Sequence, residues 1–275
     1  MAVSFVVVPQ WQGSGSSRAM RLVDGADAIR GDLPAASTRV VAVPLEAGDD
    51  QGTGIHRVSA IAMVRDRLCE LLADTPAPVV TIGGDCGVEL GAVGHVIAGS
   101  ADVAVLWFDA HPDLNTADTS PSRAFAGMVL RTLLGDGPEQ LVPAVLLDPA
   151  RIVLVGARSF DPAEDFFLAG SGIRSIGVDE VSAQALIAAV VASGATSVYL
   201  HIDFDVIDPS DFSGIGNPEP FGIGAGVLVE TIRGLLARFP LAGAGITGFA
   251  PATVDSAVED MPTILSIIGA LASAG

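Results

Sequence analysis

Hydrophobic positions gather into short continuous runs rich in β-branched residues, each followed by a longer stretch with helical spacing. The runs are VSFVVVP (3–9), RVVAVPL (39–45), PVVTIGG (78–84), VAVLWFD (103–109), RIVLVG (151–156), IRSIGV (173–178), SVYLHIDFD (197–205) and AGITGFAP (244–251). Most are apolar at every position rather than at alternate ones, which predicts strands buried on both faces of a parallel sheet. The stretches between them predict helices near 15–31, 55–74, 86–99, 123–135, 162–170, 180–193, 223–238 and 257–273. No linker, repeat or low-complexity segment interrupts this rhythm. It therefore predicts one α/β domain over residues 1–275, three layers (α/β/α) around a mostly parallel sheet of about eight strands. In such folds ligands bind beyond the carboxyl ends of the strands, so the polar residues that directly follow each run matter most.

Composition narrows the chemistry. Half of the 275 residues are hydrophobic and 17% are charged, enough apolar content for a large core and too much for disorder. The net charge of −18 repels nucleic acid and anionic membranes but tolerates a small cationic substrate. The chain contains no lysine, and all fourteen basic residues are arginines. Schiff-base chemistry, a pyridoxal-phosphate anchor and a P-loop lysine are thereby excluded. Two cysteines, Cys69 and Cys86, make no disulfide framework. Cys69, in IAMVRDRLCELL, reads as core. The stretch MAVSFVVVPQWQG has no basic start and reads as a strand, not a signal peptide. No uncharged apolar run of about 18 residues predicts a membrane span. A cytoplasmic protein is expected.

Two strand ends carry unusual polar clusters. In VAVLWFDAHPDLNT, Asp109, His111 and Asp113 alternate, so an extended continuation of the strand would aim all three the same way. In SVYLHIDFDVIDPS, His201, Asp203 and Asp205 alternate likewise, with Asp208 just beyond at an Asp-Pro turn. An isolated aspartate at such a place is ordinarily a helix cap or an Asx turn. Two such clusters, five carboxylates and two imidazoles, would repel and desolvate one another unless a positive charge sat among them. A divalent cation answers that need. The oxygen-rich set suits a hard or borderline ion such as Mn²⁺ better than a structural zinc. Cys86, in TIGGDCGVEL, reads as a packed small residue at a turn, a reactive thiol or a metal ligand.

The stretches GGDC, DAHPDLN and HIDFDVIDP resemble, in order and spacing, the motifs of the arginase, agmatinase and formimidoylglutamase superfamily (ureohydrolases). Those motifs are G-G-D-H, D-A-H-x-D and S-x-D-x-D-x-x-D-P, and the resemblance runs from about residue 78 to 220. It implies a two-manganese site. One ion would be held by Asp109, His111, Asp203 and Asp205, the other by Asp109, Asp113, Asp203 and Cys86, with Asp109 and Asp203 bridging. It also implies attack of a metal-bound hydroxide, oriented by Asp113, on a guanidino carbon. Asn115 and Ser122 match residues that bind the amino-acid end of arginine. Asp161 matches a carboxylate that receives the α-ammonium, assisted by Glu164. Asn217 falls where arginases place a threonine near the guanidino group. A homo-oligomer is implied too, since members are usually trimeric or hexameric.

Five departures from the family pattern stand out. Cys86 replaces a histidine ligand; its softer thiolate suits zinc or iron better than manganese, so the second site is expected to bind Mn²⁺ weakly, to bind a different metal, or to stand empty. Ala126-Gly127 stands where a proton-shuttling His-Gly is found, and Ser159 replaces an aspartate. Gly248, in ITGFAP, takes the place of the glutamate that pairs with the substrate guanidinium. His201 stands in place of a serine, either as a proton-transfer group or as a hydrogen-bonding partner within the strand ends. An amino-acid tail is thus retained while the head-group machinery is changed. An N-hydroxyguanidine fits: it is less basic than guanidine, its neutral form needs no glutamate, and Gly248 leaves room for its hydroxyl. Among ureohydrolases the resemblance is greatest to the Nω-hydroxy-L-arginine amidinohydrolases of D-cycloserine biosynthesis, which release hydroxyurea and L-ornithine. The alternatives are an arginase or another ureohydrolase acting on a guanidino or formimino amino acid, and a catalytically impaired binding or regulatory homologue.

Overall fold

Each of the eight apolar runs contributes a strand to one sheet in the computed structural model, which describes residues 3–273. The strands are β1 (Ser4–Val8), β2 (Thr38–Val40), β3 (Val79–Gly83), β4 (Val103–Phe108), β5 (Ile152–Val155), β6 (Arg174–Ile176), β7 (Ser197–Asp203) and β8 (Leu241–Thr247). Their order is β2-β1-β3-β8-β7-β4-β5-β6, and every neighbouring pair is parallel. The helices are α1 (Arg21–Gly31), α2 (Val58–Ala73), α3 (Glu89–Gly99), α4 (Val129–Leu133), α5 (Pro162–Ser171), α6 (Ala183–Ser193), α7 (Ala225–Leu236) and α8 (Val254–Ala272).

Successive side chains of a strand point to opposite faces, so a doubly buried strand feeds two cores. Phe108 and Leu200 join Ile29 of α1, Val190 of α6, Ile232 of α7 and Ile267 of α8 on one face. Trp107 and Tyr199 join Leu68 of α2, Val93 of α3 and Leu130 of α4 on the other. This is the three-layer α/β arrangement expected from the sequence.

Several boundaries differ from the sequence expectation, among them the start of α1, which lies at Arg21 and not near 15. β2 keeps only Thr38–Val40, because it lies at the sheet edge and pairs with β1 alone. The helix expected near 123–135 is a 3₁₀ turn over Phe125–Met128 followed by the five residues of α4. β8 starts at Leu241 and ends at Thr247, which leaves Gly248 to Ala250 in the loop beyond the strand.

The sheet centre positions the site. β3, β8, β7 and β4 are adjacent, yet the chain passes from β3 directly to β4, three places away. Connections diverge at that point and open a crevice at the carboxyl ends of these four strands.

Candidate metal centre and substrate cavity

Each central strand delivers part of one polar cluster. Beyond β3 the chain turns through Gly84 and Asp85 into a 3₁₀ turn that starts at Cys86. Asp85 fastens this turn by accepting hydrogen bonds from Gln10 Nε2, Gly13 N and Gly87 N, each at 2.9 Å. Burial lifts its carboxyl to about 6 despite those donors. A Cβ at Gly84 would overlap the Gln10 carbonyl, which is why the turn needs glycine there.

β4 leads into Asp109. Its Oδ1 accepts from His111 N at 2.6 Å, and His111 Nδ1 lies 2.9 Å from Asp205 Oδ2 and 3.4 Å from Asp109 Oδ1. Simple alternation breaks at Asp113, which adopts φ 53, a left-handed conformation that aspartate tolerates better than most residues. Asp113 is buried and its Oδ2 has no hydrogen-bond partner. From β7, Asp203 accepts from Asp205 N (2.9 Å), Thr247 Oγ1 (3.0 Å) and Cys86 Sγ (3.1 Å). Asp205 accepts from Ala110 N at 2.9 Å, which locks the β7 end to the β4 end.

Two sets of donor atoms converge within 4.8 Å of one another: Cys86, Asp109, Asp113 and His201, and Asp109, His111 and Asp205. Asp109 belongs to both. The expectation placed Asp203 in both ligand sets; here its carboxylate is turned toward Thr247 and the Asp205 amide, and it stands beside the two sets.

The electrostatics follow from crowding. Burial, then the Asp109 charge, pushes the Asp113 and Asp203 carboxyls upward, and Asp205 rises for the same reasons with Asp203 added. Burial raises the Cys86 thiol well above its ordinary range, and the charges of Asp203, Asp113 and Asp109 add to that. Burial also opposes ionisation of Asp109, but hydrogen bonds and charge from His111 and His201 outweigh it and hold this carboxyl below the usual range. His111 is carried the other way, to about 12: burial lowers it, and Asp109 and Asp205 more than compensate. A divalent cation fits this donor set. It would relieve the repulsion among the raised carboxyls and give the orphaned Asp113 Oδ2 a partner.

Two polar residues stand apart from the cavity. Asp208 spends its oxygens on the Ser210 amide (2.9 Å) and the Gly222 amide (3.0 Å), as an Asx turn does; the Ser210 hydroxyl, then these amides, hold its carboxyl near 2. It is therefore not one of the clustered carboxylates. His201 is fully buried, lies behind Asp109 and does not line the cavity. Its Nδ1 is 3.0 Å from Glu89 Oε1 and its Nε2 is 3.4 Å from Asp109 Oδ2. Of its two expected roles, the geometry matches a partner within the strand ends and not a direct proton donor to substrate.

A cavity of about 680 Å³ opens over the cluster, lined by Cys86, Asp109, His111, Asp113, Asp203 and Asp205 at its base. Its walls hold Asn115, Ser122, Asp161, Glu164, Asn217 and Gly248. Asn115 Nδ2 donates to Asp161 Oδ2 at 2.8 Å, and Asn217 Nδ2 lies 3.2 Å from His111 Nε2. Ser122 accepts from Ala124 N at 3.2 Å. Glu164 is buried, and both its oxygens are taken, by Leu114 N and Asp161 N at 2.9 Å each. It is a strut joining the β4 loop to the start of α5, not a free substrate ligand. A larger open depression near Thr53, Arg131 and Phe166 holds neither converging donor set.

Ser14, Arg18 and Arg21 also line the cavity and were not anticipated from sequence. They come from the loop after β1 and the first residue of α1, far in sequence from the acidic motifs. The available signal was two arginines close together in an acidic chain, beside a Gly/Ser-rich turn.

Comparison with known proteins gives a consistent result. The model of the Arginase family matches residues 17–265. Arginase of Bacillus subtilis is 32% identical over 163 residues, covering 56% of this chain and 55% of that protein. Arginase of Entamoeba histolytica is 32% identical over 191 residues, covering 66% of this chain and 64% of that protein. The crystal structure of Entamoeba histolytica arginase in complex with L-ornithine superposes with a TM-score of 0.86 at 25% identity, covering 98% of this chain and 97% of that one. The sequence matches thus span 55% and 64% of the two relatives' own length. Among the described residues, no helix is long and apolar enough to cross a membrane.

Proposed function

The chain belongs to the arginase family, and within it we propose a metal-dependent amidinohydrolase that converts Nω-hydroxy-L-arginine and water to L-ornithine and hydroxyurea. Residues 1–275 are read as one ureohydrolase domain. D-cycloserine biosynthesis is the setting that the sequence resemblance implies.

One observation carries the choice of head group. Gly248 lines the cavity at φ +83, and a Cβ there would lie 2.7 Å from Asp203 Cγ. No side chain, and so no guanidinium-pairing glutamate, fits at this position with Asp203 where it stands. A neutral hydroxyguanidine does without that partner. An arginase activity is the second reading, supported by the arginases among the relatives.

Asp109, His111 and Asp205 would hold one Mn²⁺ and Cys86, Asp109 and Asp113 a second, more weakly, with Asp203 turning from Thr247 to join both as the family pattern implies. Such ions lower the pKa of bound water and so supply a nucleophile at neutral pH. Asp113, a buried carboxylate, would orient the attacking water. Asp161, steadied by Asn115, would receive the α-ammonium, while Ser122 would contact the α-carboxylate. Glu164 holds the Asp161 amide and so fixes the wall against which the amino-acid end rests. The reaction forms a bond from water oxygen to the guanidino carbon, breaks the bond from that carbon to Nδ, and delivers a proton to Nδ as ornithine leaves. Comparing turnover of Nω-hydroxy-L-arginine and L-arginine tests this reading.

A further inference from the structure

Behind the metal centre, between β7 and the start of α3, lies a polar chain that the proposed reaction does not use. Tyr199 donates to Glu89 Oε2 at 2.5 Å, and Glu89 Oε1 lies 3.0 Å from His201 Nδ1. All three side chains are essentially inaccessible to solvent. Trp107 stacks on the imidazole with centroids 3.8 Å apart and so fixes the ring plane. A Cβ at Gly245 would overlap the Glu89 carboxylate, so β8 makes room for this acid with a glycine. Burying a glutamate at the head of α3 is costly unless its bonds serve a purpose.

The partners define the tautomer. Glu89 is an acceptor with one oxygen already occupied by Tyr199, so its other oxygen takes the proton of His201 Nδ1. In the neutral imidazole, Nε2 then carries a lone pair, aimed at Asp109 Oδ2 only 3.4 Å away. A proton on Nε2 closes this gap in the metal-free protein, and a bound cation would take that proton's place. A carboxylate bonded to one imidazole nitrogen while the other faces a cation site is the usual support of a metal-binding histidine.

We propose that His201 Nε2 is itself a ligand of the second metal, alongside Cys86 Sγ and the carboxylates of Asp109 and Asp113. These four donors lie within 4.8 Å of one another, close to the span of about 4–4.6 Å expected for ligands roughly 2.0–2.3 Å from one ion. The orphaned Asp113 Oδ2 completes the set. His201 thereby returns, from the neighbouring strand, the imidazole that Cys86 removes from the turn after β3. Glu89 and Tyr199 are positioning residues that hold it. A thiolate, an imidazole and two carboxylates select a borderline divalent ion such as Zn²⁺ or Fe²⁺ over Mn²⁺. Binding releases the Cys86 proton to solvent. The inference rests on the metal-centre reading above.

Cadmium, which takes both thiolate and imidazole, is a direct probe. The full-length protein with nitrogen-labelled histidines is loaded with a magnetic cadmium isotope, and cadmium–nitrogen coupling is recorded by NMR. The chain has four histidines; two of them, His56 and His95, are exposed and away from the centre. Two coupled imidazoles are expected in the wild type, and one, from His201, in His111→Asn, whose side chain is part-exposed and so tolerant of replacement. Loss of all coupling in His111→Asn, with coupling present in the wild type, overturns the His201 assignment alone. No coupling and no cadmium uptake in the wild type overturns the metal-centre reading as well.

Discussion

Gly248 and Asp203 touch so closely that a single added carbon on the glycine would overlap the aspartate carboxylate. Position 248 also has φ +83, where an L side chain is strained. The two residues close the base of the cavity as a unit. Gly248→Glu is therefore expected not to create arginase activity. By displacing Asp203 it should weaken metal binding about 10–100-fold, the range seen when support around a metal ligand is lost. Metal titration by calorimetry with the variant checks this. A Gly248→Glu protein that binds metal normally and gains turnover of L-arginine would show that the pocket can accommodate the glutamate after all.

Cys86 would tune the proposed second site. Burial, and then the charges of Asp203, Asp113 and Asp109, hold the proton on its thiol. Cys86→His removes both the soft donor and the need to deprotonate it. The variant should retain more manganese per chain after gel filtration than the wild type. Unchanged manganese content would remove Cys86 as the cause of weak occupancy.

At the amino-acid end, Asp161 and Glu164 should separate cleanly. Asp161→Asn deletes the charge proposed to face the α-ammonium, an interaction of about 1.5–3 kcal/mol, so KM should rise roughly 10–150-fold with little change in kcat. Glu164→Gln leaves one of two buried amides, Leu114 N or Asp161 N, without its acceptor. That should cost about 1–3 kcal/mol of stability. Steady-state kinetics and thermal unfolding of the two variants distinguish the roles. A rise in KM for Glu164→Gln with unchanged stability would reassign it to substrate binding.

Protons and metal compete for the centre, which gives the metal-free protein a distinctive pH profile. His111 is raised to about 12 and His201 to about 10, so their stabilising contribution is complete below the unfolded value near 6.5 and is lost as pH climbs toward those values. The raised carboxyls of Asp113, Asp203 and Asp205 act in the same direction, since they favour the protonated folded state. Asp109 is lowered, so its contribution is present above about 3.9 and lost in acid. Chelator-treated protein should thus lose thermal stability steadily from about pH 6.5 to 10, and Mn²⁺ should flatten the slope. Unfolding scans with and without metal measure both. A metal-free protein that grows more stable over that interval would contradict the sign.

Much of this was legible in the chain because buried parallel strands announce themselves as unbroken apolar runs. Runs such as VAVLWFD and SVYLHIDFD also marked where polar residues would emerge, and DAHPD and HIDFD lie at adjacent strand ends. What could not be read was direction within a loop. Alternation implied that Asp113 would follow His111, and a left-handed backbone turn redirected it. Asp208 looked like its neighbours but was claimed by local amides. Glu89 looked like an ordinary acid in the first turn of a helix. Only the strand order, which packs α3 against β7 and β8, reveals it as the partner of His201. Arg18 and Arg21 reach the cavity through a loop whose path no local pattern specifies.

The proposed head-group preference is tested most directly by one assay: L-ornithine release by the Mn²⁺-loaded protein from equal concentrations of Nω-hydroxy-L-arginine and L-arginine, with hydroxyurea and urea quantified as co-products. A kcat/KM at least tenfold higher for the hydroxylated substrate, with hydroxyurea formed in equal amount to ornithine, is the expected result. Equal or faster release from L-arginine would contradict it, and release from neither would remove the amidinohydrolase assignment itself.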